Sequence, residues 1–342
     1  MSLKSELTLD VIDTHTEGEP TRIIFWNDIP KNMPDALSVR NYFIQHYDYI
    51  RTTILQEPRG HKDQFGAVLL PPVNPGSNYT VIYPTTDSYL DMCGHATIGV
   101  STALVALGYV QNNGSEKVIT YDTVAGTVKA RVKIENGEPV SVSIVDVKSY
   151  FVKKISIDID GKSIPVNISY GGNFYAIVES NSIGIDVDPA NIEKLLEYGK
   201  VIREKSQQTI REMYPDSTKN LKPLAMITDS RHDYRAVVTF AGNSFDRSPC
   251  GTGTAARAAL LVHDGKLDVN GQYTNESIIG SRFTCRIISS EKVKGNIIIV
   301  PEITGRAWIT QLCKIIVNPE DPLKHGFLVE SWLYLQWCNR LF

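Results

Sequence analysis

Two short segments of the chain carry residues that could do chemistry together. One reads Cys93-Gly94-His95-Ala96-Thr97 and the other Cys250-Gly251-Thr252-Gly253-Thr254. Each opens on a cysteine, has Thr four positions later, and runs into an Ala/Leu/Val-rich stretch. Each then meets a glycine fifteen positions after its cysteine, Gly108 and Gly265. The cysteines stand 157 positions apart (93 and 250), close to half of the 342 residues. That spacing is what an internal duplication leaves behind. Two matched halves can place one sulfur on either face of a substrate held between them. A thiol on each face is the arrangement needed to take a proton from one side of a carbon and return it on the other.

Why a helix start matters to such a thiol is a question of charge. A free cysteine has a pKa near 8.5 and is mostly thiol at neutral pH. A helix N-terminus carries roughly half a positive charge and unpaired N–H groups, and can lower that value. The same N–H groups form an anion site, here for a substrate carboxylate. Gly94, Gly251 and Gly253 remove side chains where backbone must approach a ligand closely. The plainer alternative is that a buried cysteine is only a small apolar residue. Repetition of the whole Gly/Thr-rich context argues against it for Cys93 and Cys250. Cys285, Cys313 and Cys338 lack that context; the first two sit in strand-like runs and read as core or surface filler.

These segments need elements to hold them. Short β-branched runs dominate, among them 7–12, 21–26, 67–70, 127–134, 140–147, 163–169, 236–240, 283–288 and 313–317. Helical stretches are fewer: 36–49, 94–107, 191–213 and 251–264. The two that follow the cysteines are apolar on most faces, as buried helices are. The expected architecture is α/β (α+β): two similar halves, each a barrel-like, mostly antiparallel sheet around a central helix. The first half spans 4–150 and carries Cys93; the second spans 151–304 and carries Cys250. Strands from 305–327 can return to the first half. Met1-Ser2-Leu3 and the tail Leu328 to Phe342 are set apart from the fold, with a docked C-terminal helix as the competing reading of the tail.

Composition narrows the function classes. Hydrophobic content of 42% and charged content of 21% suit a soluble globular chain. A net charge of −3 without a basic block argues against nucleic acid or anionic membrane as a partner. No apolar run is long enough to span a membrane, and no signal-peptide pattern opens the chain. Five cysteines, odd in number and irregularly spaced, suit reduced thiols in the cytoplasm better than a disulfide framework. No metal-ligand spacing appears.

At these residues the chain resembles the proline racemase family, which includes hydroxyproline epimerases and trans-3-hydroxyproline dehydratases. The signatures stand as Asp13-Thr14-His15-Thr16-Glu17-Gly18-Glu19-Pro20-Thr21-Arg22, Glu57-Pro58-Arg59-Gly60-His61 and Met92-Cys93-Gly94-His95. Further on are Tyr170-Gly171-Gly172-Asn173-Phe174-Tyr175 and Asp246-Arg247-Ser248-Pro249-Cys250-Gly251-Thr252-Gly253-Thr254. The resemblance implies the diaminopimelate-epimerase-like fold, a cofactor-free two-base mechanism on a small amino acid, and a homodimer. It makes Cys93 and Cys250 the catalytic pair. His95 and Asp246 hold the substrate amine, and the backbone around Gly94, His95, Gly251 and Thr252 cradles its carboxylate. Phe65, Tyr83 and Phe240 supply aromatic walls. The substrate expected is proline or a close analogue, with 4-hydroxyproline as the alternative. The dehydratase reading is weaker, because that branch has Thr where Cys250 stands. Without the resemblance, His95 reads equally as a helix-start residue satisfied by backbone, and Asp246 as a turn residue. Glu19, Arg22, Glu57 and Arg59 read as structural, as do His15 and His61.

Overall fold

Alternation of side chains shows why these segments become strands. Between Gly126 and Glu135, Val128, Ala130, Val132 and Ile134 are buried, while Lys129, Arg131, Lys133 and Glu135 are exposed. That period of two puts one face on a core and the other in water. The computed structural model describes residues 4–111, 114–215, 222–231, 234–240 and 244–328. Met1-Ser2-Leu3, Cys338 and the tail after 328 lie outside the described residues.

The first series of elements is β1 (Leu7–Thr16), β2 (Glu19–Phe25), α1 (Ala36–Leu55), β3 (Phe65–Leu70), β4 (Tyr79–Pro84), β5 (Tyr89–Leu90), α2 (Gly94–Ala106), β6 (Glu116–Thr123), β7 (Gly126–Glu135) and β8 (Glu138–Val145). The second is β9 (Ser149–Ile159), β10 (Lys162–Tyr170), β11 (Phe174–Glu179), α3 (Ser180–Ile183), α4 (Ile192–Met213), β12 (Leu224–Asp229), β13 (Arg235–Phe240), β14 (Ser244–Phe245), α5 (Gly251–His263), β15 (Gln272–Ser277), β16 (Arg282–Val293) and β17 (Asn296–Gly305). A last strand, β18 (Ala307–Val317), follows.

The two series pair alike. In the first, β1–β2 is antiparallel, β2–β3 parallel, β3–β4 antiparallel, β4–β6 parallel, and β6–β7–β8 antiparallel. In the second, β10–β11, β11–β12, β12–β13, β13–β15 and β15–β16–β17 repeat those senses in order. Strand β9 pairs with both β10 and β17 and closes the second sheet on itself. Beside β1, the equivalent place is taken by β18, which returns from the far end of the chain. Strand β17 also pairs with β8 and joins the halves.

Each parallel pair needs a crossover, and helices supply them. One crossover per half runs outside: α1 between β2 and β3, and α4 between β11 and β12. The outer helices are amphipathic. Leu195, Ile202 and Ile210 of α4 sit in the core while Lys194, Lys200 and Glu204 face water. The other crossover runs through the sheet's interior: α2 between β4 and β6, and α5 between β13 and β15. Every residue of α2 from Gly94 to Val105 is buried, as is every residue of α5 from Gly251 to Val262. A helix with water on no side requires the all-round apolar composition seen in the sequence. The interior crossovers therefore carry the two cysteines, and their N-termini point at the seam between the halves.

Candidate active site

Cys93 is the N-cap of α2 and Cys250 the N-cap of α5. The two helix starts meet. A Cβ built on Gly94 would lie 2.7 Å from the Cα of Gly251, and the reverse distance is also 2.7 Å. Only glycine at both positions lets the backbones come this close. The first N–H groups of each helix have no intrahelical acceptor. Two sets of such donors therefore converge where the cysteines face the seam. Cys250 has a φ of +64°, in the left-handed region, whereas Cys93 is extended at −139°. For a non-glycine residue that conformation is strained, and such strain collects at functional positions.

A cavity of about 220 Å³ lies at this seam. Cys93, His95, Asp246, Cys250, Thr252 and Tyr175 supply its chemistry. Its apolar walls are Phe65, Leu90, Met92, Leu224 and Phe240, and Gly94 and Gly251 complete it. Phe65 packs edge-on to both Phe240 and His95, with centroids 5.0 Å and 4.8 Å away. A wider cavity of about 540 Å³ shares Phe65, Leu90, Leu224 and Phe240 with it and is lined also by Gln64 and Arg203.

The Asp246 loop is held by its own backbone. Its Oδ1 accepts the Ser248 N–H at 2.8 Å, and Ser248 Oγ accepts the Cys250 N–H at 3.1 Å. Asp246 Oδ2 is buried without a hydrogen-bond partner, 4.0 Å from His95 Nδ1. Burial pulls the His95 pKa down to about 3, so the imidazole is neutral. Burial pushes Asp246 up to about 6, against the hydrogen bonds from Ser248 and Cys250. An acceptor that is buried and unmatched costs free energy until a donor arrives. A substrate ammonium is such a donor.

The thiols differ from the expectation built on helix starts. Burial pushes both well above the ordinary cysteine value. The Asp246 carboxylate raises both further, while the N–H groups of Ala96 and Gly253 and the Tyr175 hydroxyl pull down. Desolvation outweighs the helix termini, and both sulfurs are thiols.

Tyr83 requires a correction. It is wholly buried, and its hydroxyl lies 2.7 Å from Thr97 Oγ1, which in turn donates to Cys93 O at 2.8 Å. It braces α2 from behind the cysteine and is not among the residues lining the cavity. Tyr175 takes the aromatic role instead. Its hydroxyl lies 3.2 Å from Cys250 Sγ and 2.5 Å from Thr252 Oγ1.

Two further residues brace the seam: Glu19, which the sequence reads as structural, and Asn173, to which it gives no role. The turn at Gly18 (φ +99°) sets Glu19, and the matching turn at Gly172 (φ +96°) sets Asn173. Each reaches across the seam to the segment before the other half's cysteine. Glu19 Oε2 accepts the Arg247 N–H at 2.7 Å, and Asn173 Nδ2 donates to Met92 O at 2.8 Å. Burial, with Asp246 nearby, holds Glu19 well above the usual carboxylate range. The signal was the shared glycine turn four strands ahead of each cysteine-capped helix. Arg22 does form an ion pair, with both Asp13 oxygens at 2.9 and 2.7 Å. Among the described residues, no group of three or more His, Cys, Asp or Glu side chains is arranged to hold a metal ion. No described helix is long and apolar enough to cross a membrane.

The chain is similar to known proteins over nearly its whole length. The family model described as proline racemase matches residues 11–328. A proline racemase of Acetoanaerobium sticklandii is 34% identical over 96% of this chain and all of its own. A 4-hydroxyproline 2-epimerase of Streptosporangium roseum is 36% identical over the same shares. Among solved structures, a hydroxyproline epimerase from Agrobacterium vitis with bound trans-4-hydroxy-L-proline superposes with a TM-score of 0.85. It is 26% identical, and the match covers 96% of this chain and 98% of that one. With residues 11–328 matched and the two-half fold in common, the chain belongs to the proline racemase family, a family of isomerases.

Proposed function

We propose that the protein is a cofactor-independent racemase that interconverts L- and D-proline by two-thiol proton transfer at Cα, with Cys93 and Cys250 as the pair. The observation that carries this reading is the junction of the two helix starts. Gly94 and Gly251 are in contact, a cysteine caps each helix, and Asp246 Oδ2 stands unmatched beside them. In this reading the substrate carboxylate takes the N–H groups around Gly94, His95, Gly251 and Thr252. Its ammonium takes Asp246 Oδ2, with His95 alongside. The ammonium offsets the Asp246 carboxylate, which adds to the burial that keeps the thiols neutral, and places positive charge next to the sulfurs, which favours one thiolate. That thiolate removes the Cα proton while the opposite thiol delivers one from the other face. Helix N–H groups stabilise the charge that develops on the carboxylate.

The walls favour proline over 4-hydroxyproline. Phe65, Leu90, Leu224 and Phe240 offer no hydrogen bond to a ring hydroxyl, and the Tyr83 hydroxyl is engaged by Thr97. A buried hydroxyl without a partner costs about 1–3 kcal/mol, enough for tenfold or more in kcat/KM. The alternative, a 4-hydroxyproline 2-epimerase, shares every other element. Chiral chromatography of L-proline, trans-4-hydroxy-L-proline and trans-3-hydroxy-L-proline after incubation tests the assignment. Proline should racemise fastest, and a tenfold preference for 4-hydroxyproline would replace it with the epimerase. Loss of water from the 3-hydroxy isomer would point to a dehydratase. Thiols that must stay reduced fit the cytoplasm. The homodimer that the family resemblance implies is checked by light scattering.

A further inference from the structure

The second sheet holds a large cavity at the end of α5 remote from Cys250. It contains about 1470 Å³ of space, part of it open to solvent, and shares no lining residue with the cavity at the cysteines. Phe151, Ile177, Leu260 and Leu261 give it apolar walls. Lys153 and Lys154 stand exposed at its edge, and Lys266, also exposed, is paired with Asp264. Glu179, at the same edge, accepts a hydrogen bond from Ser230.

Arg257 lines this cavity and is 2% exposed. Its Nη1 donates to Tyr234 O at 2.5 Å and Asn275 Oδ1 at 3.0 Å, both uncharged acceptors. Its Nη2 is buried with no hydrogen-bond partner. Among the described residues Arg257 forms no salt bridge, although the Tyr234 ring lies 5.1 Å from its Cζ. The carboxylates of Glu179 and Asp229 act on it only through space, without an ion-pair contact, and a buried guanidinium whose outer nitrogen has no acceptor is expensive until an anion reaches it. Arginine suits a planar carboxylate best, because its fork can donate two parallel hydrogen bonds.

We propose that this cavity is a second ligand site, in which Arg257 anchors the carboxylate of a small organic acid whose apolar body packs on Phe151, Ile177, Leu260 and Leu261. The lysines at the edge add attraction for the anion and set a salt dependence. The site is separate from substrate binding, being two helical turns from Cys250 along α5.

The test reads occupancy at the cavity itself. A Phe151→Trp variant places a fluorophore on the wall, and the wild-type protein supplies the background from its own tryptophans. Sodium benzoate is titrated as the probe, with benzamide as its neutral counterpart and inorganic phosphate as an anion without an apolar body. Benzoate should give a saturable signal, and benzamide and phosphate should each bind at least about tenfold more weakly, as loss of a charged hydrogen bond or of apolar burial requires. Arg257→Met in the reporter background should weaken benzoate by about tenfold or more. Should that variant fail to fold, Lys153→Glu with Lys154→Glu, both at exposed positions, should weaken benzoate several-fold at low salt. The proposal is overturned if benzoate gives no saturable signal, if benzamide binds equally well, or if the folded charge variants keep wild-type affinity.

Discussion

Gly94 and Gly251 touch backbone to backbone, so that each helix start forms part of the floor beneath the other. A methyl group on either would come within 2.7 Å of the opposite Cα, a distance real contacts do not reach. Gly94→Ala and Gly251→Ala should each push the helix starts apart and misplace one sulfur relative to the other. Misplacement of about 1 Å costs on the order of 10²-fold in rate, and overpacking costs about 1–3 kcal/mol in stability. Steady-state racemisation with a parallel denaturant titration checks both. Near-wild-type turnover in either variant would mean that the helix contact does not set the geometry.

Cys93→Ser and Cys250→Ser should each lose about 10²–10⁴-fold in activity while the far-ultraviolet circular dichroism stays unchanged. A hydroxyl of much higher pKa cannot serve as the base, and its proton is a poorer donor. Retention of more than about a tenth of the activity by either variant would contradict a role for both thiols.

Tyr175→Phe removes the hydroxyl that lies 3.2 Å from Cys250 Sγ. That hydroxyl pulls the Cys250 pKa down, so the variant thiol should titrate higher. The acid limb of the kcat/KM profile should move to higher pH, and kcat/KM at pH 7 should fall by about tenfold for each unit of that movement. Both directions should fall equally, since the equilibrium constant of a racemisation is fixed. An unshifted profile would assign Tyr175 to packing alone.

These site residues were unequally legible. The cysteines and their helices stand out because the duplication repeats them with their flanking Gly and Thr. Tyr83 and Phe240 each lie ten positions before a cysteine and look equivalent in the sequence. Packing separates them. Thr97 captures the Tyr83 hydroxyl behind α2, whereas the Phe240 ring meets Phe65 at the cavity. Tyr175 reaches the site through the parallel pairing of β11 with β12, in which it lies beside Leu224. Such a nonlocal register leaves no local signal. Strand β15, Gln-Tyr-Thr-Asn-Glu-Ser, is too polar to read as a strand. It is one because Asn275 and Glu276 are satisfied by Pro249 O, Thr254 and two arginines. The destination of the last strand was open in the sequence, and β18 pairs with β1.

Asp146, between β8 and β9, gives a prediction about stability. Burial raises its pKa to about 7, only partly offset by the N–H of Val147. The native state then holds a proton that the unfolded chain releases near pH 4. Its contribution is complete below that value and is lost as pH rises through about 7. Asp146→Asn should therefore flatten the stability profile between pH 4 and 7. At pH 8 it should be more stable than the wild type, by up to a few kcal/mol at about 1.4 kcal/mol per pKa unit. Urea unfolding of both proteins at pH 5 and pH 8 makes the comparison. Parallel profiles would show that Asp146 is ionised in the folded protein across this range.

The two-sided proton transfer itself is read most directly by hydrogen isotope content. L-Proline is incubated with the wild-type protein in D₂O, and the reaction is stopped at low conversion. Product and remaining substrate are separated on a chiral column and their Cα positions examined by NMR. If Cys93 and Cys250 act from opposite faces, D-proline should carry solvent deuterium while the recovered L-proline keeps its protium. D-proline that retains the original protium, or deuterium that enters the recovered L-proline as fast as the product forms, would mean that one group works on both faces.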